Sequence, residues 1–390
     1  IESLPFLEAL RQFGHDHGKE NVLFIHLTLL PYIRASGEIK TKPTQHSVGR
    51  LREIGILPDI LICRTEMDVE PEIPEKISLF CNVPTESVFI EKDVETSIYE
   101  LPLVLRQQRL DTRILEHFGR KGGSGNMDRW IEVVNALREP QFEVEIAVVG
   151  KYIELTDSYK SIYEALTHGG IHHRARVRFR RVQAEVLAEG DPEEVLGGVD
   201  GILVPGGFGE RGLEGKIRTV QFARENKIPF LGVCYGMHAA VIEYSRNVLG
   251  LKEASSTEIH KDTPDPVITL LDEQKDVDEK GGTMRLGTYP CQFVADSICS
   301  QEYSTLEVGE RHRHRYEFNN EYRDRLTEAG LRIAGTSPDN SLVEVIEIVD
   351  HPWFVACQYH PEFQSKPFDA HPLFRGLIGA SLSMKSQSDG

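Results

Sequence analysis

Short, near-continuous apolar runs alternate along the chain with segments whose apolar residues recur at helical spacing. Such runs are the pattern of strands buried on both faces, and their alternation with helices predicts parallel βα units. To about Pro140, Leu4, Leu7 and Leu10 mark a helix face, and Val22 to Leu30 reads as a buried strand. A basic loop, Lys40-Thr41-Lys42-Pro43-Thr44-Gln45-His46, leads into a helix around Val48 to Ile54. Strand Asp59 to Cys63, helix Pro74 to Cys81, strand Ser87 to Ile90 and helix Ser97 to Leu110 continue a doubly wound α/β layout.

A second α/β unit opens on the apolar run Val144 to Gly150. Thr156 or Asp157 can cap a helix to His168, with Gly169 and Gly170 as its stop. Strand Ala175 to Phe179 follows. Asp200 to Gly209 is a strand ending in the glycine-rich turn Pro205-Gly206-Gly207-Phe208-Gly209, and helix Lys216 to Glu225 leads to another apolar run, Ile228 to Val233. Beyond it strands prevail: Val267 to Leu271, Thr283 to Leu286, Gln292 to Ala295, Leu342 to Ile348 and Trp353 to Gln358, with a helix near Glu321 to Ala329. The glycine-rich stretch Gly119 to Asp128 predicts a linker or mobile loop. The expected fold is therefore α/β with two doubly wound domains, over residues 1–120 and 142–390, joined by residues 121–141. No internal repeat is present.

Composition narrows the function. A chain of 390 residues accommodates two or three domains, and 40% hydrophobic with 27% charged residues is an ordinary soluble composition. The net charge of −17 argues against a general nucleic-acid or membrane surface, so any anion site must be a local basic pocket. No apolar run approaches membrane length. The six cysteines are scattered without a CxxC pair, which favours a reducing cytoplasm over a disulfide framework or a metal site. Ile1-Glu2-Ser3-Leu4-Pro5-Phe6 reads as the entry to a helix whose preceding strand is absent, so we expect a chain with its front missing.

The chemistry centres on Gly232-Val233-Cys234-Tyr235-Gly236. The apolar run breaks there and a helix pattern begins at once, with Met237, Val241, Tyr244 and Val248 on one face and Gly250 as the stop. This is the pattern of a nucleophile elbow carrying a thiol beside a helix N-terminus, whose dipole favours the thiolate. Such a thiol needs a base and an orienting group. Gln358-Tyr359-His360-Pro361-Glu362 offers both, with His360 and Glu362 placed on one side of an extended segment. The expected oxyanion donors are Tyr235 N–H and the bare backbone at Gly207.

In that order, the GxCxG elbow, the glycine turn and the His-Pro-Glu segment resemble the class I glutamine amidotransferases. The resemblance implies that Cys234 attacks the side-chain amide of glutamine, His360 moves the proton and Glu362 orients it. Lys40 to Val48, Gly150 to Leu155, Ser256-Thr257-Glu258, Gly281 to Gly287 and Arg311 to Glu317 further resemble the CTP synthase family over essentially the whole chain. Another class I amidotransferase, or a free-standing glutaminase, is the alternative that the Lys40 to Val48 loop disfavours. The resemblance implies a synthetase domain of phosphate-loop type before the amidotransferase domain, and amination of UTP to CTP with ATP and Mg²⁺. It implies glutamine held by Gly207, Tyr235, Gly236, Met237, His238, Glu258 and Arg315. UTP, or CTP as feedback inhibitor, would meet Ile1, Glu2, Lys40, Thr41, Lys42, Pro43, Thr44, Gln45 and Lys76, and ATP would meet Lys92, Asp93 and Val94. GTP activation near Phe208 to Gly212, a homotetramer, and stacking into filaments are further implications. The family's phosphate loop and Mg²⁺ carboxylates are expected upstream of Ile1. One departure stands at the elbow, where the family reads Cys-Leu-Gly-Met-Gln and this chain Cys234-Tyr235-Gly236-Met237-His238.

Overall fold

The computed structural model describes residues 3–122, 125–270 and 284–388. The chain divides into two compact units, residues 1–138 and 139–390.

The first unit runs α1 (Leu4–His17), β1 (Ile25–Leu29), β2 (Tyr32–Ile33), β3 (Glu38–Ile39), α2 (Lys42–Ile54), β4 (Ile60–Thr65), α3 (Glu72–Cys81), β5 (Val88–Lys92), α4 (Leu101–Gln107), α5 (Leu110–His117) and α6 (Asp128–Arg138). Parallel strands β1, β4 and β5 form its sheet in that order, with Leu61 and Cys63 in the core. The strand expected to be buried, β1, is an edge strand whose Ile25, Leu27 and Leu29 are exposed. The basic loop proves to be the first turn of α2, because Pro43 presets the helical φ and lacks only an N–H that the first turn does not use. The helix expected over Ser97 to Leu110 is broken in two where Arg109 takes a left-handed conformation, φ 66°. Within the stretch expected as a linker, α6 is a helix with Val133 and Val134 buried.

The second unit continues β6 (Phe142–Gly150), α7 (Lys160–His172), β7 (Ala175–Gln183), α8 (Val186–Glu189), α9 (Pro192–Leu196), β8 (Gly201–Val204), α10 (Leu213–Glu225), β9 (Phe230–Val233) and α11 (Tyr235–Asn247). Then come β10 (Ser255–Ser256), β11 (Pro266–Leu270), β12 (Arg285–Phe293), α12 (Ile298–Tyr303), β13 (Glu307–His314), β14 (Tyr316–Phe318), α13 (Arg323–Glu328), β15 (Leu331–Thr336), β16 (Val343–Ile348), β17 (Phe354–Cys357) and α14 (Pro372–Ser388). Nine strands form one mixed sheet in the order β13-β12-β15-β16-β17-β9-β8-β6-β7. Its parallel half, β17-β9-β8-β6-β7, carries the elbow at the carboxyl end of β9, where α/β sheets gather their ligands.

Gly169 and Gly170 do not stop α7, which runs on to His172. A Cβ on Gly169 would lie 2.8 Å from Phe374 O, and one on Gly170 2.7 Å from Ala175 O. These glycines serve close packing. The two strands expected from Thr283 to Ala295 are, over the described residues, the single strand β12. Strand β13 escapes the hydrophobic pattern because its inward positions are Glu310, His312 and His314.

Candidate active site

Strand β9 is buried at every position and pairs in parallel with β8 and β17, which fixes where it ends. Cys234 then takes φ 51° and ψ −101°, and α11 starts at Tyr235. A non-glycine residue held there stores about 1–3 kcal/mol and persists only if its surroundings over-determine it. They do. Cys234 N donates to Cys357 O at 2.7 Å, and Met237 N and His238 N donate to Cys234 O at 2.9 and 3.2 Å. The flanking glycines admit no side chain, since a Cβ on Gly236 would fall 2.2 Å from Val204 O and one on Gly232 2.9 Å from Gly236 O.

The His-Pro-Glu segment follows β17, as expected, but not in extended form: Pro361–Phe363 is a 3₁₀ turn. That turn brings His360 Nδ1 to 2.8 Å from Glu362 Oε1. With Nδ1 engaged, Nε2 is the ring nitrogen left for the thiol. His360 N donates to Arg311 O at 2.8 Å, so β13 holds the main chain of His360. Burial opposes protonation of His360, but the charge and hydrogen bond of the Cys234 sulfur, with those of Glu362, outweigh it and raise the imidazole to about 11. The imidazole is therefore placed to take the proton of the Cys234 thiol.

Gly206, rather than Gly207, is the loop residue against this pair. A Cβ there would lie 2.9 Å from His360 Cε1 and 3.6 Å from Cys234 Cβ. Gly207 instead borders Lys216 and Tyr235. Tyr235 OH donates to Gly209 O at 2.6 Å, and Gly209 N donates to Glu258 Oε1 at 2.8 Å, tying the glycine loop to α11 and Glu258. Burial pushes the Glu258 carboxyl up. Tyr316, the chain neighbour of Arg315, feels the charge of Glu258 as well as that of Arg315.

His238 points inward, almost wholly buried, with Nε2 3.0 Å from Gln358 Oε1. The other end of that amide, Nε2, donates toward Cys234 Sγ at 3.8 Å. Burial, with a further push from the Lys216 charge, takes His238 down to about 4 against the pull of Gln358 and the Tyr316 backbone. Behind it, Arg285 pairs with Glu344 at 2.6 Å and Glu317 at 3.5 Å, and His312 Nδ1 lies 2.8 Å from His314 Nε2. Gly206, Lys216, Gln358 and this buried cluster were not foreseen as site residues. Lys216 left a trace in the sequence: it interrupts the apolar face of Leu213, Ile217 and Val220 with a charge.

In the first unit, Lys42 and Pro43 open α2, Gln45 Nε2 donates to Thr41 Oγ1 at 3.1 Å, and buried Thr44 donates to Leu29 O at 3.0 Å. Lys40 pairs with Glu38, whose carboxyl is lowered first by Lys40 and also by the nearby charge of Lys76. At the carboxyl end of β5, Lys92 pairs with Asp68 at 2.7 Å and Asp93 with Arg64 at 2.6 Å; Val94 follows. Ile1 and Glu2, also expected at the nucleotide, lie outside the described residues, as do Gly281, Gly282 and Thr283. Among the described residues no group of three or more His, Cys, Asp or Glu is arranged to hold a metal, and no ligand for Mg²⁺ is assigned.

Known proteins resemble the chain in the same two parts. Residues 1–119 match the family model described as CTP synthase N-terminus, and residues 154–380 match glutamine amidotransferase class-I. A CTP synthase of Caldanaerobacter subterraneus subsp. tengcongensis is 55% identical over 385 residues, which is 99% of this chain and 72% of the relative. That of Syntrophus aciditrophicus is 54% identical over 387 residues, with the same coverage. Among solved structures, the glutaminase domain of Trypanosoma brucei CTPS with bound acivicin aligns at TM-score 0.58 and 40% identity, over 62% of this chain and 94% of that one. Both parts point the same way along 99% of the chain, and the chain belongs to the CTP synthase family.

Proposed function

We infer that the chain is a glutamine-dependent CTP synthase, and that Cys234, His360 and Glu362 form its glutamine-hydrolysing site. The observation that carries this reading is the 2.8 Å bond from His360 Nδ1 to Glu362 Oε1, beside a thiol held on a strained elbow. Cys234 Sγ attacks the side-chain amide carbon of glutamine while Tyr235 N–H and the Gly206–Gly207 backbone face the developing oxyanion. His360 gives its Nε2 proton to the leaving nitrogen, the C–N bond breaks, and ammonia departs from a glutamyl thioester. His360 then takes a proton from water, which attacks the thioester and releases glutamate. Arg315 is matched to the α-carboxylate of the substrate and Glu258 to its α-ammonium. His238, buried against Gln358, acts on the substrate through that neighbour rather than directly.

The ammonia aminates UTP. ATP phosphorylates the 4-oxygen, and ammonia displaces phosphate to leave CTP, ADP and phosphate. Lys40 to Gln45 and Lys76 are proposed for UTP or CTP, Lys92 to Val94 for ATP, with Mg²⁺ as the nucleotide's companion ion. GTP activation, a homotetramer that stacks into filaments, and a cytoplasmic location are part of the same proposal. No helix among the described residues is long and apolar enough to cross a membrane.

The test is glutamate release by the full chain and by Cys234→Ser, together with protection of Cys234 from iodoacetamide by glutamine or acivicin. We expect the variant to lose at least about 10³-fold in glutamate release and both ligands to protect the wild-type thiol. Glutamate release that survives the substitution would overturn the assignment.

A further inference from the structure

Lys216 is the one large cationic side chain in the glutaminase unit that is fully buried, at 1% exposure among the described residues. Its place is fixed by α10. A Cβ on the preceding Gly215 would lie 1.7 Å from Ala184 O, so the helix is pressed against the turn after β7. Nζ donates to Pro205 O at 3.1 Å and sits 4.9 Å from the centroid of the Tyr235 ring. It also lies 3.3 Å from where a Cβ on Gly207 would be. The amine therefore touches both sources of the oxyanion donors, the Pro205–Gly207 turn and the residue after the nucleophile.

We propose that Lys216 is a positioning residue of the glutaminase site, whose ammonium anchors the oxyanion turn through Pro205 O and sets a buried positive charge beside Cys234. The proposal rests on the glutaminase reading above. An ammonium has three hydrogens, and the bond to Pro205 O uses one. The π face of Tyr235 and the negative charge formed on sulfur or substrate oxygen compensate the rest.

The groups that face Lys216 set the sign of its pH response. Burial lowers the amine to about 7; Cys234 and Glu185 oppose that shift and Lys151 adds to it. His238 on α11 also feels the Lys216 charge, and Glu258, Glu210 and Glu214 surround Tyr235. The charge is therefore present below about pH 7 and is lost above it. All six cysteines are buried, but Cys234, at 5%, is the most exposed of them, and burial raises Cys63, Cys81, Cys291, Cys299 and Cys357, so Cys234 is the thiol that iodoacetamide should reach first.

The experiment measures the rate of Cys234 alkylation by iodoacetamide, read from the mass of its peptide, in the full-length wild type, Lys216→Met and Lys216→Gln at pH 6 and pH 9. Methionine keeps the volume and removes the charge, while glutamine removes the charge but can still donate to Pro205 O. At pH 6 both variants should alkylate about tenfold more slowly than wild type, and at pH 9 all three should converge. The melting temperature of Lys216→Met should equal or exceed that of wild type, because the desolvation cost of the buried ammonium goes with its bond to Pro205 O. Equal rates at pH 6, with a lowered melting temperature, would show a purely structural lysine and overturn the proposal. If Lys216→Met does not fold, Lys216→Gln decides on the same rates. Failure of glutamine to protect wild-type Cys234 would instead overturn the glutaminase reading itself.

Discussion

At the scale of single residues, the site depends on hydrogen bonds that fix which atom faces the sulfur. Glu362 occupies His360 Nδ1 and leaves Nε2 for chemistry. His238 occupies Gln358 Oε1, which turns the amide nitrogen toward Cys234. His238 has a price in acid that can be measured. Its folded imidazole titrates near 4, below the ordinary 6.5, so as the pH falls the unfolded chain takes the proton first. The stability it contributes is whole above pH 6.5 and declines as the pH falls toward 4. Urea unfolding should show the wild type losing ground to His238→Gln by roughly 1 kcal/mol per pH unit in that window. Parallel stability curves would mean that His238 is protonated in the fold. His238 was legible as the elbow's departure from its family, but its inward orientation was not. Sequence spacing places a residue on a helix turn; the neighbour that it meets, here Gln358, comes from just past a strand more than a hundred residues away.

Elements tell a similar story. The elbow was readable because an apolar run, two glycines and a helical repeat are local features, and the structure keeps each of them. The glycines matter through contacts that no local pattern contains: Gly236 lies against the Val204 carbonyl of the neighbouring strand. Gly236→Ala should lower the stability of the glutaminase unit by about 1–3 kcal/mol, and abolish glutamate release by displacing Cys234. Chemical denaturation and an activity assay together check this, and an active variant of unchanged stability would contradict it. Strand β13 marks the opposite limit. Its inward side chains are charged or polar, Glu310 meeting Tyr303 and His371, and His312 meeting His314, so periodicity in hydrophobicity gave no sign of it. The expectation that His360 and Glu362 would meet along an extended segment reached the right pair by the wrong geometry. His360 stands just before the 3₁₀ turn and Glu362 at its second position, where the two side chains meet at 2.8 Å, and Pro361 favours the turn.

Over the whole molecule, a net charge of −17 coexists with a basic turn at Lys40 and Lys42, consistent with an anion site confined to one place. The two-part organisation was legible from the restart of the strand–helix alternation at Val144. The edge position of β1 was not, because a run of apolar residues does not say how many neighbours a strand will have. On the proposed reading, ammonia released at Cys234 becomes the amino group of CTP. This transfer is tested most directly by supplying glutamine labelled with ¹⁵N in its amide, together with UTP, ATP, Mg²⁺ and GTP, and following the label by mass. The wild type should place the label in CTP in step with glutamate, while Cys234→Ser should form CTP only from added ammonium. Labelled CTP from Cys234→Ser, or CTP that forms from glutamine without the label, would contradict the account.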